Sequence, residues 1–420
     1  MFSRRDFLIV GGAAMGATAI RKPAAAASVP ASIAALQSMR GQVKPISTDE
    51  RRARVARAQE LMSGHRMDAI LLTGGTSLLY FSGVRWHNSE RLFAVVIPVR
   101  GHAFCVCPSF EEDRAREQLN KGPLDDAALL PWHEDENPYR LVAAGLKERG
   151  CSTGKLGIEE RTPFAFSDGV AQAAPAAKLV SATPVTAGCR MIKSRHEIDL
   201  MSIANQATLK VYEAVYRALE PGMTQNDAEA LIAAAYGRVG FSGEASVQTG
   251  QYSALPHGSA TPQEIREGTV VMIDDGCTVE GYNSDITRTF VIGKATDKMR
   301  RVFDIVHRAQ SAALAAAKPG VACQDVDAAA RKTIADAGFG PDYNYFTHRV
   351  GHGIGLDGHE WPYLVRGNTL PLAPGMTFSD EPGIYIRGEF GVRLEDDMHI
   401  TEDGAELFTP QSPSIERPFG

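Results

Sequence analysis

The stretch Gly268-Thr-Val-Val-Met-Ile-Asp274-Asp275-Gly276, continued by Gly281-Tyr-Asn-Ser-Asp285-Ile-Thr-Arg288-Thr289, decides how this chain is read. A glycine turn leads into an apolar strand that ends on a carboxylate, and a second carboxylate follows in the next extended segment. The pattern returns as Gly375-Met-Thr-Phe-Ser-Asp-Glu381, again with an acid six places after the glycine. Upstream, Glu220-Pro221-Gly222, Asp227 and Gly240-Phe241 recur as Lys318-Pro319-Gly320, Asp325 and Gly338-Phe339, at a constant offset of 98. Each copy reads as a helix ending at Pro-Gly, a second helix, and a Gly-Phe stop. This predicts two α/β halves related by a pseudo-twofold, with their carboxylates brought to a shared seam.

Outward from this repeat, Lys193 to Leu219 carries apolar residues at helical spacing and opens the repeated domain, placed at 190–410. Before it, a charged helix at 49–64 precedes short apolar runs at Ala69–Thr73, Phe93–Val99, His102–Cys107 and Lys155–Glu159. Alternating strands and helices predict a separate α/β layer domain at 45–185. The chain has 420 residues, 44% hydrophobic and 22% charged, enough for two such domains. Its net charge of −6 argues against a nucleic-acid partner, which selects a basic excess. Ser3-Arg4-Arg5-Asp6-Phe7-Leu8, an uncharged run to Ile20, and the small residues Ala24–Ala27 have the parts of a twin-arginine signal peptide over 1–27. The apolar run is too short and too diluted by glycine and alanine for a stable membrane span. Export by the twin-arginine machinery to a bacterial periplasm is the expectation. The six cysteines show no metal spacing and are read as buried thiols.

The acids at strand ends carry the chemistry. Asp274 and Asp285 come from the first half; Glu381, in Glu-Pro-Gly, and Glu395, in Arg393-Leu-Glu395, come from the second. Between them lies Thr347-His-Arg-Val-Gly-His352-Gly-Ile-Gly-Leu-Asp-Gly-His359-Glu360. Like charges converging in a low dielectric cannot all stay ionised without a cation. Four carboxylates and one imidazole form a hard, oxygen-rich donor set suited to Mn²⁺, with Co²⁺, Fe²⁺ or Zn²⁺ as other candidates. Two such ions bridged by carboxylates make a hydroxide nucleophile at neutral pH. Asp275 and Asp396 are set aside because strand alternation turns them the other way.

These motifs resemble the creatinase/prolidase/methionine aminopeptidase family, the pita-bread metallopeptidases, and within it the Xaa-Pro peptidases. The resemblance covers about 45–410 and implies an N-terminal creatinase-like domain before the catalytic domain. It implies that Asp274, Asp285, His352, Glu381 and Glu395 hold two metal ions, with Asp285 and Glu395 shared between them. It also implies that Glu381 carries a proton to the leaving proline nitrogen, and that Arg393 orients the acids. His359 is implied to stabilise the oxyanion, His257 to touch substrate, and His348 to line the proline side. The substrate implied is a proline-containing peptide cut before proline, by an aminopeptidase or a dipeptidase. A dipeptidase needs a cation for the proline carboxylate, and Arg366 is the candidate. Trp86 and Arg91 are expected to reach a partner's site in a homodimer or tetramer. Metal-free creatinase chemistry, a dimethylsulfoniopropionate lyase, an ectoine-type amidohydrolase and a non-catalytic binding module share the fold and remain alternatives. The remaining histidines, among them His307 and His399, are read as structural or surface residues.

Overall fold

The computed structural model describes residues 29–420; the expected signal peptide at 1–27 lies outside the described residues. The N-terminal domain opens with the helix Thr48–His65, whose start is fixed by a reciprocal capping box between Ser47 and Glu50. It packs on a six-stranded mixed sheet in the order Ala128–Trp132, Phe104–Pro108, Ala94–Pro98, Ala69–Thr73, Lys155–Ile158, Lys178–Ser181. The four central strands are the apolar runs legible in the sequence. The two edge strands escaped it because their side chains are only partly covered and one contains Pro131, which suits an edge.

The second domain is built from two halves, each a helix pair laid on an antiparallel sheet. In the first, Arg195–Tyr216 and Gln225–Val239 cover strands Ser246–Thr249, Val270–Asp274 and Arg288–Val291. In the second, Asp297–Ala316 and Cys323–Ile334 cover a sheet ordered Glu360–Leu364, Gly351–Gly353, Thr377–Asp380, Asp396–Ile400, Ala405–Leu407. The sequence repeat is repeated in the backbone. Gly222 and Gly320 have φ of 96° and 84°, and Gly240 and Gly338 have 89° and 93°. Gly240 caps its helix, whereas Gly222 and Gly320 sit in the turns a few residues beyond theirs; glycine suits such positions because the left-handed region penalises a Cβ. The halves are stitched along their seam: Glu395 N–H donates to Thr287 O, and the Thr289 hydroxyl donates to Arg393 O at 2.6 Å.

The sequence predicts no element over 29–44, yet this segment packs on the first half. Ile33 of the short helix Ala31–Ala34 and Met39 are buried in its core, and Met39 N–H donates to Val239 O. A four-residue helix has no periodicity to detect. All six thiols are buried and unpaired, as expected.

Candidate metal centre

Five donors meet where the two halves join. Asp274 ends the strand Val270–Asp274, Asp285 follows Tyr282–Asn283, and His352 is the middle residue of Gly351–Gly353. Glu381 follows Thr377–Asp380, and Glu395 stands between the strands Phe390–Arg393 and Asp396–Ile400. Alternation sends each strand's next acid elsewhere. Asp396 pairs with Arg288 at 2.6 Å, both fully buried, and accepts from Gln310. Asp275 departs from that expectation. With φ of 108° it takes the Ser246 N–H at 3.2 Å, yet it still lines the same cavity as Asp274 and Asp285.

Ligand atoms of His352, Glu381 and Glu395 lie within 4.8 Å of one another, as do those of Asp274, Asp285 and Glu395, and those of Asp285, His352 and His359. Asp285, His352 and Glu395 each belong to two of these groups, so the three groups form one continuous donor cluster. Burial, then the neighbouring acids, pushes the Asp285 and Glu395 carboxyls well above the ordinary range. Glu381 is pushed up to about 7, chiefly by burial and, with Arg393 opposing, by Asp274. Such crowding is costly unless a cation compensates it. The histidine is set for that purpose: Nδ1 of His352 lies 3.1 Å from Gly353 O, which fixes the ring as an Nδ1–H donor. Its Nε2 lone pair then faces Glu381 Oε1 at 3.3 Å and Asp285 Oδ2 at 3.7 Å. The donor set fits divalent metal ions.

Neighbouring side chains hold these donors in place. The Thr287 hydroxyl lies 2.6 Å from both Asp274 Oδ1 and Glu395 Oε2, and it accepts from Arg393 Nε at 3.0 Å. Arg393 also pairs with Asp274 Oδ2 and donates to Pro256 O at 3.1 Å and to the Tyr385 hydroxyl at 3.0 Å. Tyr385 in turn donates to His348 Nε2 at 2.7 Å. Ser379 Oγ accepts from the His352 N–H and donates to Glu381 Oε1. Asp397 takes the Asp285 N–H at 2.9 Å. Sequence reasoning found Arg393 but missed Thr287, Ser379, Tyr385 and Asp397. Thr287 alone left a sequence signal, two places after Asp285.

The cavity beside these donors encloses about 400 Å³ and is lined by His257, His348, His359, Arg349, Tyr343 and Val365 as well as the acids. His359 stacks on His352 with ring centroids 3.6 Å apart. Burial and the nearby Arg349 keep its pKa below the ordinary value. His348 is held down to about 3, by burial and then Arg393. Three residues singled out in the sequence stand apart from this cavity. Arg366 is exposed and pairs with Asp342 at 2.9 Å. Trp86 stacks on Phe93 at 3.9 Å under the Arg114 guanidinium, and Arg91 pairs with Glu134 at 2.7 Å.

Comparison with known proteins agrees with this architecture. The profile of metallopeptidase family M24 matches residues 199–402, and that of the creatinase/prolidase N-terminal domain matches residues 54–192. The chain is 38% identical over 361 residues to a probable dipeptidase PepE of Mycobacterium tuberculosis, covering 84% of this chain and 92% of that one. It is 31% identical over 364 residues to an Xaa-Pro dipeptidase of Lactobacillus delbrueckii subsp. lactis, covering 85% and 97%. Among solved structures it superposes on dipeptidase PepE from Mycobacterium ulcerans with a TM-score of 0.83, at 34% identity over 89% of this chain and 99% of that one. A prolidase from Thermococcus sibiricus gives 0.79 at 30% identity, covering 87% and 98%. With its duplicated catalytic half, its N-terminal domain and its five converging donors, the chain belongs to metallopeptidase family M24.

Proposed function

We propose that this protein hydrolyses the peptide bond preceding proline, as an Xaa-Pro dipeptidase. The observation that carries the reading is the meeting of Asp274, Asp285, His352, Glu381 and Glu395 against a cavity that also presents His359. The relatives named dipeptidase and Xaa-Pro dipeptidase support it. A pair of divalent ions bound there supplies water activation and polarisation of the scissile carbonyl. The residues do the rest. Glu381 takes a proton from the attacking water and delivers it to the proline nitrogen, which has no hydrogen of its own. His359 donates to the carbonyl oxygen as charge develops on it. Arg393 and Thr287 keep Asp274 and Glu395 aimed at the seam. His257 and His348 line the cavity where substrate side chains enter.

The oxygen-rich donor set favours Mn²⁺ among the divalent ions. Ser3-Arg4-Arg5-Asp6-Phe7-Leu8 supports export through the twin-arginine route to the periplasm, which carries folded and metal-loaded proteins. Among the described residues no helix is long and apolar enough to cross a membrane. A homodimer or tetramer in which Trp86 and Arg91 approach a neighbouring cavity would restrict peptide length. Unchanged kinetics of Trp86→Ala on peptides of every length would reject that arrangement.

The test is a metal-reconstituted enzyme assayed on Xaa-Pro dipeptides and Xaa-Pro-Pro tripeptides. Turnover of the dipeptides, abolished in Glu381→Ala with metal content and fold retained, supports the reading. Turnover surviving that substitution, or no cleavage of any Xaa-Pro peptide, rejects it.

A further inference from the structure

Three histidines of the cavity have their ring protons set by different neighbours. The Nδ1–H of His352 goes to Gly353 O, which leaves an Nε2 lone pair among the acids. The Nδ1–H of His348 goes to Arg349 O at 2.8 Å, and its Nε2 accepts from the Tyr385 hydroxyl. His359 is set the other way. Its Nδ1 lies 3.2 Å from Nη2 of Arg349, and a guanidinium has donors only. That nitrogen therefore accepts, and the ring proton sits on Nε2, which has no hydrogen-bond partner among the described residues. The Arg349 guanidinium is itself held over the Tyr363 ring, 4.1 Å from its centroid. Tyr363 stands opposite His352 in the sheet register, and His352 stacks on His359, so the three rings and the guanidinium form one packed group.

We propose that Arg349 is a positioning residue that keeps His359 an Nε2–H donor and keeps it off the metal ions. The inference rests on the Xaa-Pro reading above, in which that N–H meets the scissile carbonyl oxygen. His359 has two possible employments, because one of its ring nitrogens lies within 4.8 Å of ligand atoms of Asp285 and His352. Nδ1 is occupied by Arg349, so a metal could take only Nε2. A bare Nε2 requires the ring proton on Nδ1, where it would point at the Arg349 N–H, donor against donor. Donation to a developing oxyanion requires the opposite tautomer, which is the one Arg349 enforces. Stacking on His352 fixes the ring plane but not which nitrogen carries the proton, so that choice falls to Arg349.

The experiment reads the tautomer directly. Long-range ¹H–¹⁵N correlation spectra of histidine-labelled protein, metal-free and loaded with diamagnetic Zn²⁺, show which ring nitrogen carries the proton, the His359 signals being assigned by their loss in His359→Ala. Wild type is expected to show His359 protonated at Nε2 in both forms. Arg349→Met should give mixed tautomers without metal and, with Zn²⁺, a ring protonated at Nδ1 and bound through Nε2. Arg349→Gln, whose amide donates a hydrogen bond without charge, should restore the Nε2–H form. On Ala-Pro, Mn²⁺-loaded Arg349→Met should lose about tenfold in kcat with KM nearly unchanged, and Arg349→Gln should recover most of it. A wild-type His359 protonated at Nδ1, or spectra unchanged in Arg349→Met, would overturn the inference. So would equal effects of Met and Gln, which would assign Arg349 to charge or packing rather than to donation. The spectra require no turnover. If the enzyme cleaves no Xaa-Pro peptide, the functional reading falls, while the tautomer of His359 and its response to Arg349 still decide what Arg349 does.

Discussion

Arg190 of the N-terminal domain and Asp357 of the catalytic domain are joined by a 2.6 Å bond from Nη2 to Oδ2, largely out of solvent. The pair is the centre of a network. Asp357 Oδ1 also accepts from the Thr76 hydroxyl at 2.6 Å and from Arg161 Nη1 at 2.9 Å, and Arg190 also pairs with Glu360. Arg161 Nη2 reaches the backbone carbonyl of His359 at 3.2 Å. The N-terminal domain thus grips both flanks of the loop that carries His359.

Asp357→Ala is expected to destabilise the protein by about 3 kcal/mol, because it leaves buried Arg190 with one carboxylate partner fewer. It should also lower kcat, by up to ~100-fold if the His359 loop shifts by an ångström. Calorimetry and steady-state kinetics read the two effects separately. A lowered melting temperature with unchanged kcat would show that the network serves stability alone.

His359→Ala should lower kcat on the order of 100-fold and change KM far less, since its donor acts on charge that exists only in the transition state. Bound metal, read by elemental analysis, should stay above half the wild-type value because His352 retains Glu381, Glu395 and Asp285 around it. A fall confined to KM would assign His359 to ground-state binding.

The five donors were legible because strand alternation and a glycine turn leave a one-dimensional trace, and the repeat made that trace visible twice. Arg349, Tyr385 and Ser379 left none. Their importance comes from which side chains stand across the seam, and pairs such as His348 with Tyr385 are 37 residues apart. Asp275 shows the limit of alternation: one residue with φ of 108° breaks the period, and the acid returns to the cavity it was expected to leave. Arg366 is a related case. Its distance along the chain from Glu381 suited a carboxylate anchor, but the loop turns it toward Asp342.

Tyr385→Phe removes one hydroxyl that receives a bond from Arg393 and gives one to His348. Both partners are largely enclosed, so the loss should cost about 1–3 kcal/mol of stability. Since Arg393 orients Asp274, kcat should fall as well, by about tenfold for one displaced ligand. The check is kcat alongside metal titration. Wild-type values for both would show that Arg393 needs no support from Tyr385.

Metal removal should invert the way stability depends on pH. In the metal-free fold Glu381 is raised to about 7 from an ordinary 4.5, by burial first, and Asp285 and Glu395 are raised further. A carboxyl whose folded pKa lies above its unfolded one binds more protons in the folded state at intermediate pH. Its stabilising contribution is complete below about 4.5 and is lost as the pH rises through about 7. Chelated protein should therefore melt at falling temperature between pH 5 and pH 7.5, on the order of 3 kcal/mol being lost through Glu381 alone. Saturating Mn²⁺ replaces those protons, so the holoenzyme should show no such decline and metal binding near pH 6 should release protons into the buffer. Calorimetric melts of both forms across that range, with proton release read from buffers of different ionisation enthalpy, test the sign directly. A metal-free protein that grows more stable up to pH 7.5 would mean that these carboxylates do not converge as the structure places them.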